Sequence, residues 1–403
     1  MKSLRELFRI GKGPSSSHTM GPAKAAQIYA GRHPEAKCFE VTLYGSLAAT
    51  GKGHLTDIAI INVLSKIAPV QILWKPRITL PFHPNGMIFT ADDSDPWTVY
   101  SVGGGALSEG KPDSDMVDAG AEVYDMNKIK DILEWCRQNG RCYWEYVEQC
   151  EGPEIWDYLK EVWTTMQNAV ERGLDAEGSV PGPLGLPRKA ASTYLKAQDF
   201  REPLKTRGKL YAYALAVIEE NASGGTIVTA PTCGSCGVVA ATLYQYFHQY
   251  DFSEQRILRA LATAGLFGNV VKQNASISGA EVGCQGEVGV ACAMAAAAGC
   301  QLCGGSPSQI EYAAEMGLEH HLGMTCDPIC GLVQIPCIER NVFAAARAAD
   351  SILYAITSDG THRISFDHVV QVMKRTGHDL PSLYKETSQG GLALKYEEEM
   401  SGL

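Results

Sequence analysis

The stretch DMNKIKDILEWCRQNG, residues 125–140, is where the character of the chain changes. Its apolar residues recur at helical spacing, and it closes on Gly140, a residue suited to the left-handed turn that ends a helix. Downstream the pattern returns in IWDYLKEVWTTMQNAVERG (155–173), KLYAYALAVIEENASGG (209–225), CGVVAATLYQYFHQYD (236–251) and SEQRILRALATAGLFG (253–268), several also closed by glycine. A Pro/Gly-rich connector, GSVPGPLGLPRK (178–189), interrupts the series, which otherwise stays helical to about residue 388.

Upstream the signals differ. FEVTLYGSLA (39–48) and APVQILWKP (68–76) carry β-branched and aromatic residues between turn signals and read as strands. MGPAKAAQIYAG (20–31) and LTDIAIINVLSKI (55–67) read as helices, and HPNGMIFTADDSDPWTVYSVGGG (83–105) as a hairpin with turns. The sequence therefore predicts a small α/β N-terminal domain over 1–125 and a larger, mostly α-helical domain over 126–403.

With 403 residues, 45% hydrophobic and 20% charged, the chain has the composition of a soluble globular protein large enough for two domains. Lys and Arg number 35 against 45 Asp and Glu, a formal net charge of −10. No basic cluster offsets that balance, so neither nucleic acid nor an anionic membrane is an expected partner, and a small-molecule substrate is. MKSLRELFRIGKG at the start lacks the apolar centre of a signal peptide. The apolar run VGVACAMAAAAGC (288–300) falls short of the roughly 20 residues that span a bilayer. A cytoplasmic setting is expected.

In such a reducing compartment the thirteen cysteines do not read as a disulfide framework. Cys38, Cys136, Cys142 and Cys150 read as core filler. The other nine, Cys233 to Cys337, crowd into about a quarter of the chain. TAPTCGSCGVV (229–239) and CQLCGG (300–305) each hold a Cys-x-x-Cys, but the gap between them far exceeds that of a zinc ribbon. The tight cysteine run of a ferredoxin is also absent. Cys284, Cys326 and Cys337 remain, each in an irregular segment: SGAEVGCQGE, GMTCDP and QIPCIE. Loops of that kind can aim thiolates from separate parts of the chain at one metal cluster.

Two further segments carry polar chemistry. GKGPSSSHTMGPAKAA (11–26) runs from a Gly/Pro/Ser loop into a helix. Ser15, Ser16, Ser17 and Thr19 can cap that helix, and with His18 they make a candidate carboxylate-binding loop. YGSLAATGKGHLTD (44–57) is not a phosphate-binding P-loop, because five residues separate Gly45 from Gly51-Lys52 and Gly53 follows the lysine. It is a glycine-rich turn presenting Lys52 and His54, the latter a candidate acid/base group.

GPSSSHTMGP, YGSLAATGKGHLTD, VPGPLGLPRKA, TAPTCGSCGV, NASISGAEVGCQGEVG, LEHHLGMTCDPICGLVQIPCIERN and YKETSQGGLAL resemble, in order, the motifs of the iron–sulfur-dependent L-serine dehydratases (L-serine ammonia-lyases) of the single-chain type. Seven separated segments spread along nearly the whole chain agree, although the first domain is shorter than usual. The resemblance implies a [4Fe–4S] cluster held by Cys284, Cys326 and Cys337, with one iron left open as a Lewis acid for the substrate hydroxyl. Cys330, between two of these ligands, is expected to pack. The resemblance further implies His54 as the base that takes the Cα proton of L-serine. It places the Ser15, Ser16, Ser17, His18 and Thr19 loop near the substrate carboxylate, with Lys52 as a further substrate-binding residue and Asn274, Ser276 and Ser278 as weaker candidates. A homodimer is expected on the same ground. Many members end in a cysteine that caps the open iron; no cysteine follows Cys337 here, which predicts an exogenous ligand at that position. Two rivals stand beside this reading: β-elimination from another amino acid such as L-threonine or L-cysteine, and a non-catalytic Fe–S or zinc sensor of serine.

Overall fold

The computed structural model describes residues 1–92, 94–110 and 121–401. In chain order its strands are β1 (Ile10–Lys12), β2 (Phe39–Tyr44), β3 (Val70–Lys75), β4 (Gly86–Ala91), β5 (Trp97–Ser101), β6 (Leu107–Ser108) and β7 (Thr226–Val228). Five of them make one sheet in the order β3-β2-β4-β5-β6. The β2–β3 pair is parallel, in register Phe39 opposite Val70, and the other pairs are antiparallel. Alternate residues of β2, Phe39, Val41 and Leu43, bury against Ala25, Ala26 and Tyr29 of helix Gly21–Arg32 and Ile60 and Leu64 of helix Thr56–Leu64. The hairpin expected over 83–105 is the β4–β5 pair.

The strand expected over 39–48 stops at Tyr44. Gly45 takes φ +51°, a left-handed conformation that glycine adopts without steric penalty, and a Cβ there would run into the Pro84 carbonyl. The chain is thereby turned out of the sheet into a short helix, Gly45–Ala49. This turn carries the side chains that matter below.

The larger part is helical and is built around Val290–Leu302. That helix is apolar all round, and is therefore buried rather than amphipathic. Helices Cys236–Tyr250, Glu254–Asn274, Pro307–Glu319 and Cys337–Thr357 pack on it. Not every glycine ends a helix. Glu254–Asn274 runs straight through Gly268, where a Cβ would lie 2.7 Å from Met294 Sδ and 2.9 Å from Leu7 Cδ2. Among the described residues no helix is long and apolar enough to cross a membrane.

The first residues of the chain belong to this larger core. Leu4, Leu7 and Phe8 are fully buried in it, each contributing about 1.5–3 kcal/mol of burial. The terminal ammonium donates to Tyr124 O at 2.8 Å. β1 then pairs antiparallel with β7, and Gly13 N donates to Gly225 O at 3.2 Å. The Ser15–Thr19 loop is thus pinned to the helical part just before the chain enters the small sheet.

Candidate active site

Three irregular segments converge on one small cavity, lined by Cys284, Cys326 and Cys337 together with Ser15, His54, Glu287 and Glu386. Cys284 precedes the turn Gln285–Gly289 that feeds helix Val290–Leu302, and Cys337 opens helix Cys337–Thr357. Both thiols sit at helix N-termini, where the backbone dipole favours a thiolate. Cys326 is held by two backbone bonds to a distant segment: its N–H donates to Tyr384 O at 2.8 Å, and its carbonyl accepts from Glu386 N at 2.7 Å. The chain between Cys326 and Cys337 reverses at Cys330 and Gly331, both with positive φ. Cys330, expected to pack, is exposed there.

The ligand atoms of Cys284, Glu287 and Cys326 all lie within 4.8 Å of one another. Glu287 Oε2 is 3.9 Å from Cys284 Sγ and 4.0 Å from Cys326 Sγ. A hydrogen bond from the Cys326 thiol is the largest cause drawing the Cys284 thiol down to about 6, helped by the Arg340 guanidinium and opposed by burial. Donating that bond and being buried push Cys326 well up, and burial does the same to Cys337. Burial, then the charge of Cys284, pushes Glu287 up to about 8; burial, then Glu287, raises Glu386 well above the carboxylate range. Arg340 is aimed by Thr325 O at 2.7 Å and Asp327 Oδ1 at 3.4 Å.

The opposite wall carries two buried histidines whose rings meet at a tilt of 50° with centroids 4.5 Å apart. Ser15 Oγ caps the turn Ser16–Met20 by accepting from His18 N at 3.0 Å. Ser17 Oγ lies 2.9 Å from His18 Nδ1, and Glu386 Oε1 3.5 Å from the same nitrogen. Thr19 Oγ1 donates to the His54 carbonyl at 2.7 Å, tying the serine-rich loop to the turn around residue 54. Burial, the dominant cause, lowers His18 to about 3 and keeps His54 well below 6.5, so both rings are neutral at pH 7. A neutral imidazole beside a converging set of thiols can take a proton from a molecule bound between them.

Residues 109–393 match the family model described as serine dehydratase alpha chain, and residues 3–72 match serine dehydratase beta chain. The chain belongs to the serine dehydratase family. It is 40% identical to L-serine dehydratase of Haemophilus influenzae, across 98% of this chain and 99% of that one. L-serine dehydratase 1 of Escherichia coli K12 is also 40% identical, across 98% and 100%, as is the Streptomyces coelicolor L-serine dehydratase, across 98% and 99%.

Within this serine dehydratase fold the structure gathers some of the anticipated residues and sets others apart. Cys284, Cys326, Cys337, His54 and Ser15 line one cavity, with Ser17 and His18 buried directly behind it. Ser16 is buried in the same turn. Lys52 is exposed in a neighbouring opening of about 330 Å³ that it shares with Pro14, Gly53, Cys330 and Val333. Val333 lines the thiol cavity as well, so the opening adjoins it. Asn274 instead closes its own helix, donating to Val270 O and Asn127 O. Ser276 accepts from Ser278 N, and Ser278 packs beside Gly103; neither lines the cavity. Of the cysteines read as filler only Cys136 is fully buried; Cys38 is exposed, and Cys142 caps helix Tyr143–Glu151.

Sequence reading gave no role to Glu287, Arg340, Glu386, Ser46 or Thr50. Glu287 stands three residues after Cys284, and Glu386 lies in YKETSQGG, so both were within recognised motifs. What spacing does not show is that Glu386, at φ +58° and with Oε2 lacking a partner among the described residues, is held in a left-handed conformation inside the cavity wall.

Proposed function

We propose that the chain is an L-serine ammonia-lyase that uses a [4Fe–4S] cluster to eliminate water from L-serine, giving pyruvate and ammonia. The observation that carries this reading is the convergence of Cys284, Cys326 and Cys337 opposite the neutral His54 in one cavity. The donor set suits the cluster: three buried sulfurs from three backbone segments, with a guanidinium directed at them. When bound by these three thiolates the cluster would offer one open iron as a Lewis acid toward the substrate hydroxyl.

The protein's own groups supply the rest. The Ser15 hydroxyl, which faces the cavity with Ser17 and His18 behind it, binds and orients the carboxylate, and Lys52 in the adjoining opening draws the anion inward. An incoming ammonium is the partner that lets the Glu386 carboxyl ionise despite its burial. His54 takes the Cα proton as the Cβ–oxygen bond breaks; that proton and the departing hydroxide leave together as water, and the resulting aminoacrylate tautomerises and hydrolyses to pyruvate and ammonia. Each step needs water kept out until the last, and the buried lining provides that.

A reducing, cytoplasmic setting is part of the proposal, supported by thirteen free thiols. So is a homodimer, for which Phe343, Leu353 and Tyr354 on one helix supply an exposed apolar face that sedimentation would test. The deciding experiment is anaerobic reconstitution with iron and sulfide, followed by pyruvate release from a panel of amino acids. L-Serine is expected to lead the panel. Faster turnover of L-threonine or L-cysteine would reassign the substrate, and no turnover with a full cluster would favour a sensor.

A further inference from the structure

The short helix Gly45–Ala49 and the turn after it touch both histidines, and the hydrogen-bond arithmetic there has one solution. Thr50 Oγ1 lies 3.1 Å from Ser46 O and 3.0 Å from His54 Nδ1. A carbonyl only accepts, and a hydroxyl has a single proton. If Thr50 gave that proton to His54, its oxygen would face the Ser46 carbonyl with no hydrogen between them. Both contacts contain a proton only when Thr50 donates to Ser46 O and accepts from His54 Nδ1–H. In the neutral ring, Nε2 then carries the lone pair. It has no hydrogen-bond partner among the described residues, and the ring lines the thiol cavity.

The same reasoning fixes the neighbouring ring the other way round. Ser46 Oγ donates to Glu386 O at 2.7 Å, so it accepts from His18 Nε2–H at 3.2 Å, leaving His18 Nδ1 to accept from Ser17. Two adjacent imidazoles are thus held in opposite tautomers by one helical turn.

We propose that Thr50 is a positioning residue for the elimination: through its hydroxyl it holds the proton of His54 on Nδ1 and so keeps Nε2 free to accept the substrate proton. This rests on the reading of His54 as the base. The backbone of His54 is anchored without that hydroxyl, by its own N–H to Thr50 O at 3.1 Å and by Thr19 Oγ1. Thr50 N–H also donates to Ser46 O at 3.1 Å, so removing the hydroxyl does not orphan that carbonyl.

The test compares Thr50→Val and Thr50→Ser with the wild type, as anaerobically reconstituted full-length protein, and reads the ring nitrogens by NMR after 15N-histidine labelling. Wild type is expected to show an unprotonated Nε2 at His54. Thr50→Val is expected to shift protons onto Nε2 and to lower kcat roughly 10–100-fold, the usual loss on removing a supporting hydrogen bond, with KM and cluster absorption unchanged. Thr50→Ser, which restores the hydroxyl, is expected to recover most of that rate. A protonated Nε2 in the wild type would overturn the proposal whether or not the chain dehydrates L-serine, because that readout needs no substrate. An unchanged kcat in a Thr50→Val protein whose tautomer has shifted would overturn it too, and a rate loss that serine fails to recover would reassign Thr50 to a packing role.

Discussion

Two pairs of buried thiols lie in the same helical domain and meet different fates. Cys233 and Cys236 have the spacing of a metal-binding motif, yet their surroundings are those of ordinary core: Cys233 rests against Met20 Sδ, Cys236 lies 4.0 Å from Val217 O, and burial pushes both thiols up. Cys284 and Cys326 stand far apart in sequence, yet they hydrogen-bond to each other, share Glu287 and face Arg340, and Cys284 falls to about 6. Burial alone raises a thiol and makes it inert; a convergent donor and a nearby cation reverse the sign at Cys284, while Cys326, which donates the bond, is raised. The distinction between the two pairs is electrostatic and three-dimensional, and spacing does not carry it.

The sharpest way to break this comparison is to remove one sulfur from each pair. Cys326→Ala is expected to lose bound iron and to drop pyruvate formation to background, whereas Cys236→Ala keeps its full iron content on anaerobic reconstitution. Next in size is His54→Ala, which should lower kcat by about 10²–10⁴ while leaving the cluster absorption intact, separating proton abstraction from cluster assembly. Replacing Arg340 by Leu takes the cation away from the thiolates without touching a sulfur. Its expected effect is a roughly 10–100-fold weaker hold on iron, measured by chelator challenge.

Smaller effects sharpen the picture. The active form of His54 is neutral, and burial lowers its pKa well below 6.5. Its proton-accepting form therefore stays complete as pH falls through 6.5, and kcat/KM should change by less than about 20% between pH 7.5 and 6.5. An imidazole with the ordinary value of about 6.5 would lose half its neutral form by the lower pH. Last, Cys236→Ala should cost about 1 kcal/mol of stability in urea unfolding, the ordinary loss for a trimmed core side chain.

Much of this was legible beforehand. The switch near residue 125 from strands to repeated helices, the β4–β5 hairpin and the helices at 21–32 and 56–64 follow from local periodicity, because each is decided by neighbours in sequence. What periodicity missed is decided by remote contacts. Gly45 breaks a strand pattern because Pro84 sits against it, and Gly268 continues a helix because Leu7 and Met294 close on it. Leu4, Leu7 and Phe8 read as an ordinary N-terminus, yet they bury among helices more than two hundred residues away in sequence. At the site, cysteine and histidine positions came from motifs, but the groups that set their charge and tautomer are Arg340, Glu386, Ser46 and Thr50. Their roles exist only once four segments meet.

The claim underlying all of this is that three thiols far apart in the chain hold one catalytic cluster. Iron and acid-labile sulfide measured per chain on protein prepared without air, alongside its rate of pyruvate formation from L-serine, tests it most directly. The expected result is about four of each per chain, as a [4Fe–4S] cluster requires, with activity rising in proportion to cluster content. Iron-free protein turning over L-serine at the full rate would contradict it.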